Sequence, residues 1–98
     1  MKLMICISKK QYTNQMIKYL SKKGYRVTKL ASTGGFLKQG NDTLLIGVED
    51  ESIERLREDM RTSVLELERE KGWSGKEKRF TAFTLKGYNF LPLLTKGN

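Results

Sequence analysis

The stretch from Arg26 to Asp50 reads RVTKLASTGGFLKQGNDTLLIGVED and carries the pattern that decides the fold. Two runs of strand-forming residues, 26–31 and 43–48, flank a connector at 32–41 that contains three glycines. Because glycine lacks a Cβ atom, this connector can adopt positive φ angles and let a ligand approach its backbone. Hairpin loops usually contain ~2–5 residues, and longer ones are often functional. The stretch predicts an antiparallel hairpin whose connector is either a binding loop or an ordinary long turn.

The remaining elements follow from the spacing of apolar residues. The predicted strands are 2–7, 26–31, 43–48 and 80–85, with a short extra C-terminal strand at 88–94. The predicted helices are 11–23, which Gly24 ends, and 49 to about 70. The order β-α-β-β-α-β predicts an α+β fold of the ferredoxin-like type, with two helices on one side of an antiparallel sheet.

Both predicted helices carry an apolar stripe, which indicates a buried side. The first stripe consists of Tyr12, Met16, Tyr19 and Leu20, and the second of Ile53, Leu56, Met60, Val64 and Leu67. Ser8 or Thr13 is expected to cap the first helix, because side-chain oxygens can accept hydrogen bonds from the free amides at a helix start. Cys6 lies in an apolar run and is expected to be a buried small hydrophobe.

Composition restricts the class of protein. The 98 residues fit one domain, and 38% apolar with 31% charged residues is typical of globular proteins. The chain has no histidine and one cysteine, which excludes Ser–His and Cys–His catalysis and argues against a zinc site. No apolar run approaches the ~20 residues of a membrane span. The apolar run Leu3–Ile7 is too short for a secretory signal, so we expect a cytoplasmic protein.

The net charge of +8 is unevenly distributed. Residues 1–41 contain nine lysines or arginines and no acid, whereas residues 49–70 contain nine acids and four bases. A basic region of this kind favours an anionic partner, although lysines on a solvated surface give the same pattern. The acids of the second helix are expected on its exposed side.

Part of the chain resembles a known family. The matching residues are Arg26-Val27-Thr28, Ser32-Thr33-Gly34-Gly35-Phe36-Leu37, Gly40-Asn41 and Ile46-Gly47-Val48-Glu49-Asp50. They are similar to the PII-like cyclic-di-AMP receptors of the PstA type, and the resemblance fades after about residue 60. It implies a single PII-like domain over 1–98, a homotrimer, no catalysis and no cofactor. The implied ligand is cyclic-di-AMP, held at subunit interfaces next to loop 32–41, with an unknown downstream protein partner.

The resemblance also implies which residues bind the ligand. They are Arg26, Thr28, Gly35, Phe36, Leu37, Asn41, Gly47 and Phe90. Chemistry suits these roles, because a guanidinium binds phosphate, a hydroxyl or amide reads a base edge, and an aromatic ring stacks on adenine. The same residues also fit plain structural roles in a wet strand face, a turn or a subunit contact.

The sequence departs from the family pattern in two places. The segment between the second helix and the last hairpin is short, at 71–79, and Asn89 stands where an aromatic residue is expected, with Phe90 one position later. A shift of one residue in a strand moves a side chain to the opposite face. One wall of the ligand site is therefore in question, and a PII-like paralogue that binds another adenine nucleotide, or no ligand, remains an alternative.

A further alternative is a nucleic-acid-binding ferredoxin-like module. The positive charge fits such a function, and a set of aromatic residues near the C-terminus could stack on bases: Phe80, Phe83, Tyr88 and Phe90. The sequence contains no run that resembles the aromatic-rich recognition strand of these modules. Nucleic acid is therefore the less favoured partner.

Overall fold

The structure is a computed structural model, and it describes residues 1–30, 40–73 and 79–85. Its elements, in chain order, are β1 (Lys2–Lys9), α1 (Lys10–Lys22), β2 (Arg26–Lys29), β3 (Asn41–Val48), a 3-10 turn (Asp50–Ser52), α2 (Ile53–Lys71) and β4 (Phe80–Leu85). The predicted order β-α-β-β-α-β is confirmed. The extra strand predicted at 88–94 lies outside the described residues.

The four strands form one antiparallel sheet in the order β2-β3-β1-β4. The predicted hairpin pairs Arg26 with Gly47 and Lys29 with Leu44. Strands β1 and β2 run in the same direction with β3 between them, which is the split β-α-β arrangement of ferredoxin-like folds. The predicted fold class is therefore confirmed.

The two sides of the sheet have different surroundings, because successive side chains of a strand point to opposite sides. We call the side that packs against α1 and α2 the helix face, and the other side the opposite face. The strands contribute Met4, Cys6, Leu44, Ile46 and Val48 to the main core on the helix face. On the opposite face, a smaller buried cluster consists of Leu3, Ile5 and Leu45.

The helices supply the other half of the main core. The buried helix residues are Tyr12, Met16, Leu20, Leu56, Met60 and Val64, as the apolar stripes predict. The half-buried residues Tyr19, Ile53 and Leu67 pack around them. Cys6 is fully buried, which confirms the predicted small hydrophobe, and burial raises the pKa of its thiol to about 12. Of the described helices, neither is long and apolar enough to cross a membrane.

Several predicted boundaries are wrong by a few residues. Strand β1 continues to Lys9 and β3 already begins at Asn41, because these two residues pair across the ladder. Helix α2 begins at Ile53, after the 3-10 turn, rather than at residue 49. Strand pairing and helix docking set these ends, and both depend on residues far away in the sequence.

The predicted cap of α1 is also wrong. The N-cap is Lys9, and within the described structure no side chain bonds the first amides of the helix. The Ser8 hydroxyl instead donates to the carbonyl of Lys9 at 3.0 Å. Thr13 lies inside the helix and donates to the Asp42 carboxylate at 2.8 Å. The backbone amide of Lys10 finds its acceptor in the carbonyl of Gly40, at 2.9 Å.

Candidate ligand-binding site

Arg26 and Gly47 lie side by side at one end of the sheet. They are direct partners across β2 and β3, and the alternation of side chains places both positions on the opposite face. Arg26 is exposed at the edge strand, so its guanidinium is accessible. Both residues line a cleft of about 350 Å³, together with Met1, Tyr25, Val48 and Glu49. The structure thus brings two of the predicted site residues into one concave surface.

Gly47 keeps this cleft open because it has no side chain. A Cβ atom placed at Gly47 would meet only the Cε atom of Met1, at 3.6 Å, which is an ordinary van der Waals contact. The fold therefore does not require glycine here for steric reasons. A glycine at this position leaves the backbone of the strand open to close approach.

Thr28 is on the same side of β2 as Arg26, two residues further along, and is exposed. Its partner across the ladder is Leu45, a member of the small buried cluster. Arg26 and Thr28 form an exposed polar edge beside the buried Leu45.

Asn41 also occupies the opposite face, but at the other end of β3. It pairs with Lys9 and lines a shallow groove of about 150 Å³ with Ile7, Arg79 and Thr81. Six positions separate Asn41 from Gly47, which is about 20 Å at ~3.4 Å per residue. Within one chain, Asn41 does not join the cleft of Arg26.

The other four predicted site residues, Gly35, Phe36, Leu37 and Phe90, lie outside the described residues. Two of the four aromatic residues considered for nucleic-acid stacking are described. Phe80 packs against the main core on the helix face, whereas Phe83 is 43% exposed and pairs with Ile5 on the opposite face. These two rings do not share a surface, so the predicted stacking platform is wrong for this pair.

Sequence reasoning missed a buried acid at the Asn41 end. The Asp42 side chain points to the helix face and is 4% exposed. Its carboxylate accepts a hydrogen bond from the Thr13 hydroxyl at 2.8 Å and one from Lys10 Nζ at 3.1 Å. Burial alone would raise the pKa of Asp42, but these two bonds and the charges of Lys29 and Lys10 lower it below its usual value. The carboxylate is therefore ionised at neutral pH.

A second buried acid contradicts the expectation that the acids of the second helix are all exposed. Glu68 is 6% exposed and accepts hydrogen bonds from Tyr12 Oη and Arg79 Nε, both at 2.6 Å. The bond from Arg79 holds the pKa of Glu68 below its usual value, against the effect of burial. Since Arg79 also lines the Asn41 groove, this network fixes one wall of that groove.

Thr43 was missed as well. It is 6% exposed and lies on the opposite face, between the positions of Asn41 and Leu45. Its hydroxyl is buried, and the described structure offers it no hydrogen-bond partner. A buried hydroxyl without a partner costs stability, so within the described residues this group is unsatisfied.

Comparisons with known proteins show what the chain is similar to. A family model described as "Cyclic-di-AMP receptor" matches residues 1–70. Among solved structures, the chain is similar to a functionally unknown protein from Pediococcus pentosaceus ATCC 25745. The two are 27% identical with a TM-score of 0.63, over 86% of this chain and 88% of that chain.

Proposed function

Because the chain belongs to the cyclic-di-AMP receptor family, we propose that it is a non-catalytic signalling receptor that binds cyclic-di-AMP at the interfaces of a homotrimer. The family match covers 70 of the 98 residues and includes β1, β2, β3 and the connector between β2 and β3. A signalling receptor of this kind reports ligand occupancy to another protein, for example through the order of a loop.

One observation carries the proposed site. The four predicted ligand residues that are described, Arg26, Thr28, Asn41 and Gly47, all occupy positions on the opposite face. Strand alternation alone puts Arg26 on the side of Thr28 and Asn41 on the side of Gly47, and the pairing of Arg26 with Gly47 brings both pairs to the same face. Arg26 and Gly47 meet in one cleft, where a guanidinium and an accessible backbone suit a phosphate and the sugar beside it.

Charge and distance favour a site assembled from two copies of the chain. Cyclic-di-AMP has two phosphates, whereas the cleft has one side-chain cation, Arg26, and one carboxylate, Glu49. The groove around Asn41 contains Lys9 and Arg79 but lies at the far end of the same face. A neighbouring subunit that places its Asn41 end against the Arg26 end of the first would bring the Asn41 amide beside the Arg26 guanidinium.

One exposed ring on the opposite face supports association of subunits. Phe83, the strand partner of Ile5, is 43% exposed there, whereas Leu3, Ile5 and Leu45 are buried. Aromatic residues are enriched at protein–protein contacts. A chain of 98 residues also has a modest core of its own, so subunit contacts would add stability.

The test is a titration of the purified protein with cyclic-di-AMP, in which calorimetry measures binding and thermal melting measures stabilisation. We expect saturable binding and a rise in melting temperature, because a ligand that binds only the native state stabilises it. ATP, AMP and cyclic-di-GMP are titrated in parallel. A response to ATP or AMP without one to cyclic-di-AMP would favour the paralogue with a different ligand, and no response to any of them would overturn the proposal.

Two arginine substitutions, at Arg26 and at Arg61, test where the ligand binds. Arg26→Ala is expected to weaken binding of cyclic-di-AMP about tenfold or more, since hydrogen bonds to charged groups contribute ~1.5–3 kcal/mol. Arg61→Ala removes an equally exposed guanidinium from α2 and should leave affinity unchanged. Equal affinities of the two variants would place the ligand elsewhere.

A further inference from the structure

Asp42 links the Asn41 end of β3 to helix α1. It follows Asn41 directly, and the two side chains point to opposite faces of the sheet. On the helix face, the buried carboxylate binds Thr13 and Lys10, both in the first half of α1. The backbone adds a third link, because the amide of Lys10 donates to the carbonyl of Gly40 at 2.9 Å.

These links replace a conventional helix cap. In the described structure α1 has neither an acid in its first turn nor a side-chain cap, so its amino end lacks the negative group that usually stabilises it. The Asp42 carboxylate, from a strand 29 residues beyond Thr13, supplies that charge. The start of the helix and the start of β3 therefore depend on each other.

We propose that Asp42 is a positioning residue for the ligand site, which fixes the backbone of residues 40–42 and with it the direction of the Asn41 side chain. This inference rests on the proposed function, because it takes Asn41 as a ligand contact. The inference about Asp42 uses no connector residue before Gly40.

The physical reason is the geometry of a strand end. A residue at the first position of a strand is held by few ladder bonds and can fray. If the strand start is native-like in only a fraction of the molecules, the apparent affinity equals the intrinsic affinity multiplied by that fraction. A buried carboxylate with two side-chain donors gives this end a strong anchor, and Asn41 is one peptide unit away.

The experiment measures cyclic-di-AMP affinity for Asp42→Asn, which keeps the size of the side chain but removes its charge. We expect about a tenfold loss. Lys10→Met, which removes the partner on the helix surface, should weaken binding in the same direction, and Lys10→Arg should restore it. Val64→Ala is the matched control, because it destabilises the main core without removing any group that bonds residues 40–42 in the described structure. It should leave affinity unchanged at temperatures where the protein is folded.

A double-mutant cycle separates positioning from general stability. In an Asn41→Ala background, Asp42→Asn should cause no further loss of affinity, because the residue that it positions is gone. In an Arg26→Ala background, the loss should remain. Independent effects of Asp42→Asn and Asn41→Ala, or an Asp42→Asn variant that binds as well as the wild type, would overturn the inference.

Amide hydrogen exchange tests the same inference without ligand. Asp42→Asn or Lys10→Met should speed exchange at the amides of 41–43 more than at the centre of β1, whereas Val64→Ala should not show this local pattern. If the wild-type protein fails to bind cyclic-di-AMP, the proposed function is wrong. The exchange pattern then still decides whether Asp42 anchors the strand start.

Discussion

The two faces of the sheet differ in how well their side chains are buried and hydrogen-bonded. On the helix face, the residues of the main core are buried and both buried acids have two partners each, as Asp42 and Glu68 show. On the opposite face, the buried apolar cluster is small, the Phe83 ring is 43% exposed, and the Thr43 hydroxyl has no partner among the described residues. Within the described part of the chain, the helix face is therefore the better packed and better paired of the two.

The largest expected effect comes from adjacent leucines of β3. Leu44 points to the helix face and Leu45 to the opposite face, so Leu44→Ala and Leu45→Ala remove the same atoms from the two environments. We expect Leu44→Ala to lower the free energy of unfolding by ~2–5 kcal/mol, since it leaves a cavity in the main core. Urea unfolding at low protein concentration measures this loss.

Leu45→Ala should cost less stability in the isolated chain but weaken self-association. Sedimentation of the wild type is expected to show a trimer, and of Leu45→Ala a shift to smaller species. Because association stabilises the folded state by mass action, the stability of the wild type should rise with concentration more steeply than that of the variant. A monomeric wild type at high concentration would contradict the role given to the opposite face.

Lowering the pH should reduce the free energy of unfolding, because the buried Asp42 carboxylate becomes protonated. Its pKa is lower in the folded than in the unfolded protein, so the stabilisation is present above the unfolded value of about 4 and is lost as the pH falls through the folded value. Asp42→Asn should therefore lose less stability than the wild type between pH 6 and pH 3, measured by urea unfolding. Glu58→Gln, which changes an exposed carboxylate of α2, should retain the wild-type slope.

Thr43→Val tests the opposite face with a change of almost constant shape. If the hydroxyl of Thr43 is unpaired in the isolated chain, valine should raise the free energy of unfolding by about 1 kcal/mol. Thr43→Ser, which keeps the hydroxyl, should show no such gain. A loss of stability in Thr43→Val would mean that the hydroxyl has a partner, and would weaken the contrast between the faces.

The smallest expected effect on folding is at Gly47. Gly47→Ala should leave stability unchanged or raise it by up to ~1 kcal/mol, because the Cβ atom makes an ordinary contact and glycine is unfavourable in a strand. Affinity for cyclic-di-AMP should nevertheless fall. Gly24→Ala is the contrasting case, since Gly24 has a φ angle of 98° and alanine there should destabilise the protein. Thermal melting with and without ligand measures both quantities.

Local patterns predicted most of the fold. The apolar stripes identified the buried sides of both helices, because the helical repeat depends only on the spacing of residues that are close in sequence. The predicted hairpin of β2 and β3 is present for the same reason. The glycine after α1 marked the end of that helix. Element ends were less accurate, since Lys9 and Asn41 extend their strands only by pairing with each other.

The candidate site was predictable in part. Strand alternation placed Arg26 and Thr28 on one face, and the structure shows that Gly47 joins them. The distance between Asn41 and the Arg26 cleft was not visible in the sequence, where all of these residues belong to one continuous stretch. The anchor of Asp42 was missed because its partners, Lys10 and Thr13, precede it by about 30 residues.

The sequence by itself determined the order of the elements, the apolar side of each helix and the membership of the family, since each depends on residue types at short spacing. Only the tertiary structure decided which buried charges are paired and which predicted site residues share a surface. Docking of α1 and α2 on the sheet brings Asp42 to Thr13 and Glu68 to Tyr12, across separations that no local pattern records. The register of the sheet then puts the four described candidate residues, Arg26, Thr28, Asn41 and Gly47, on the side that faces away from the helices.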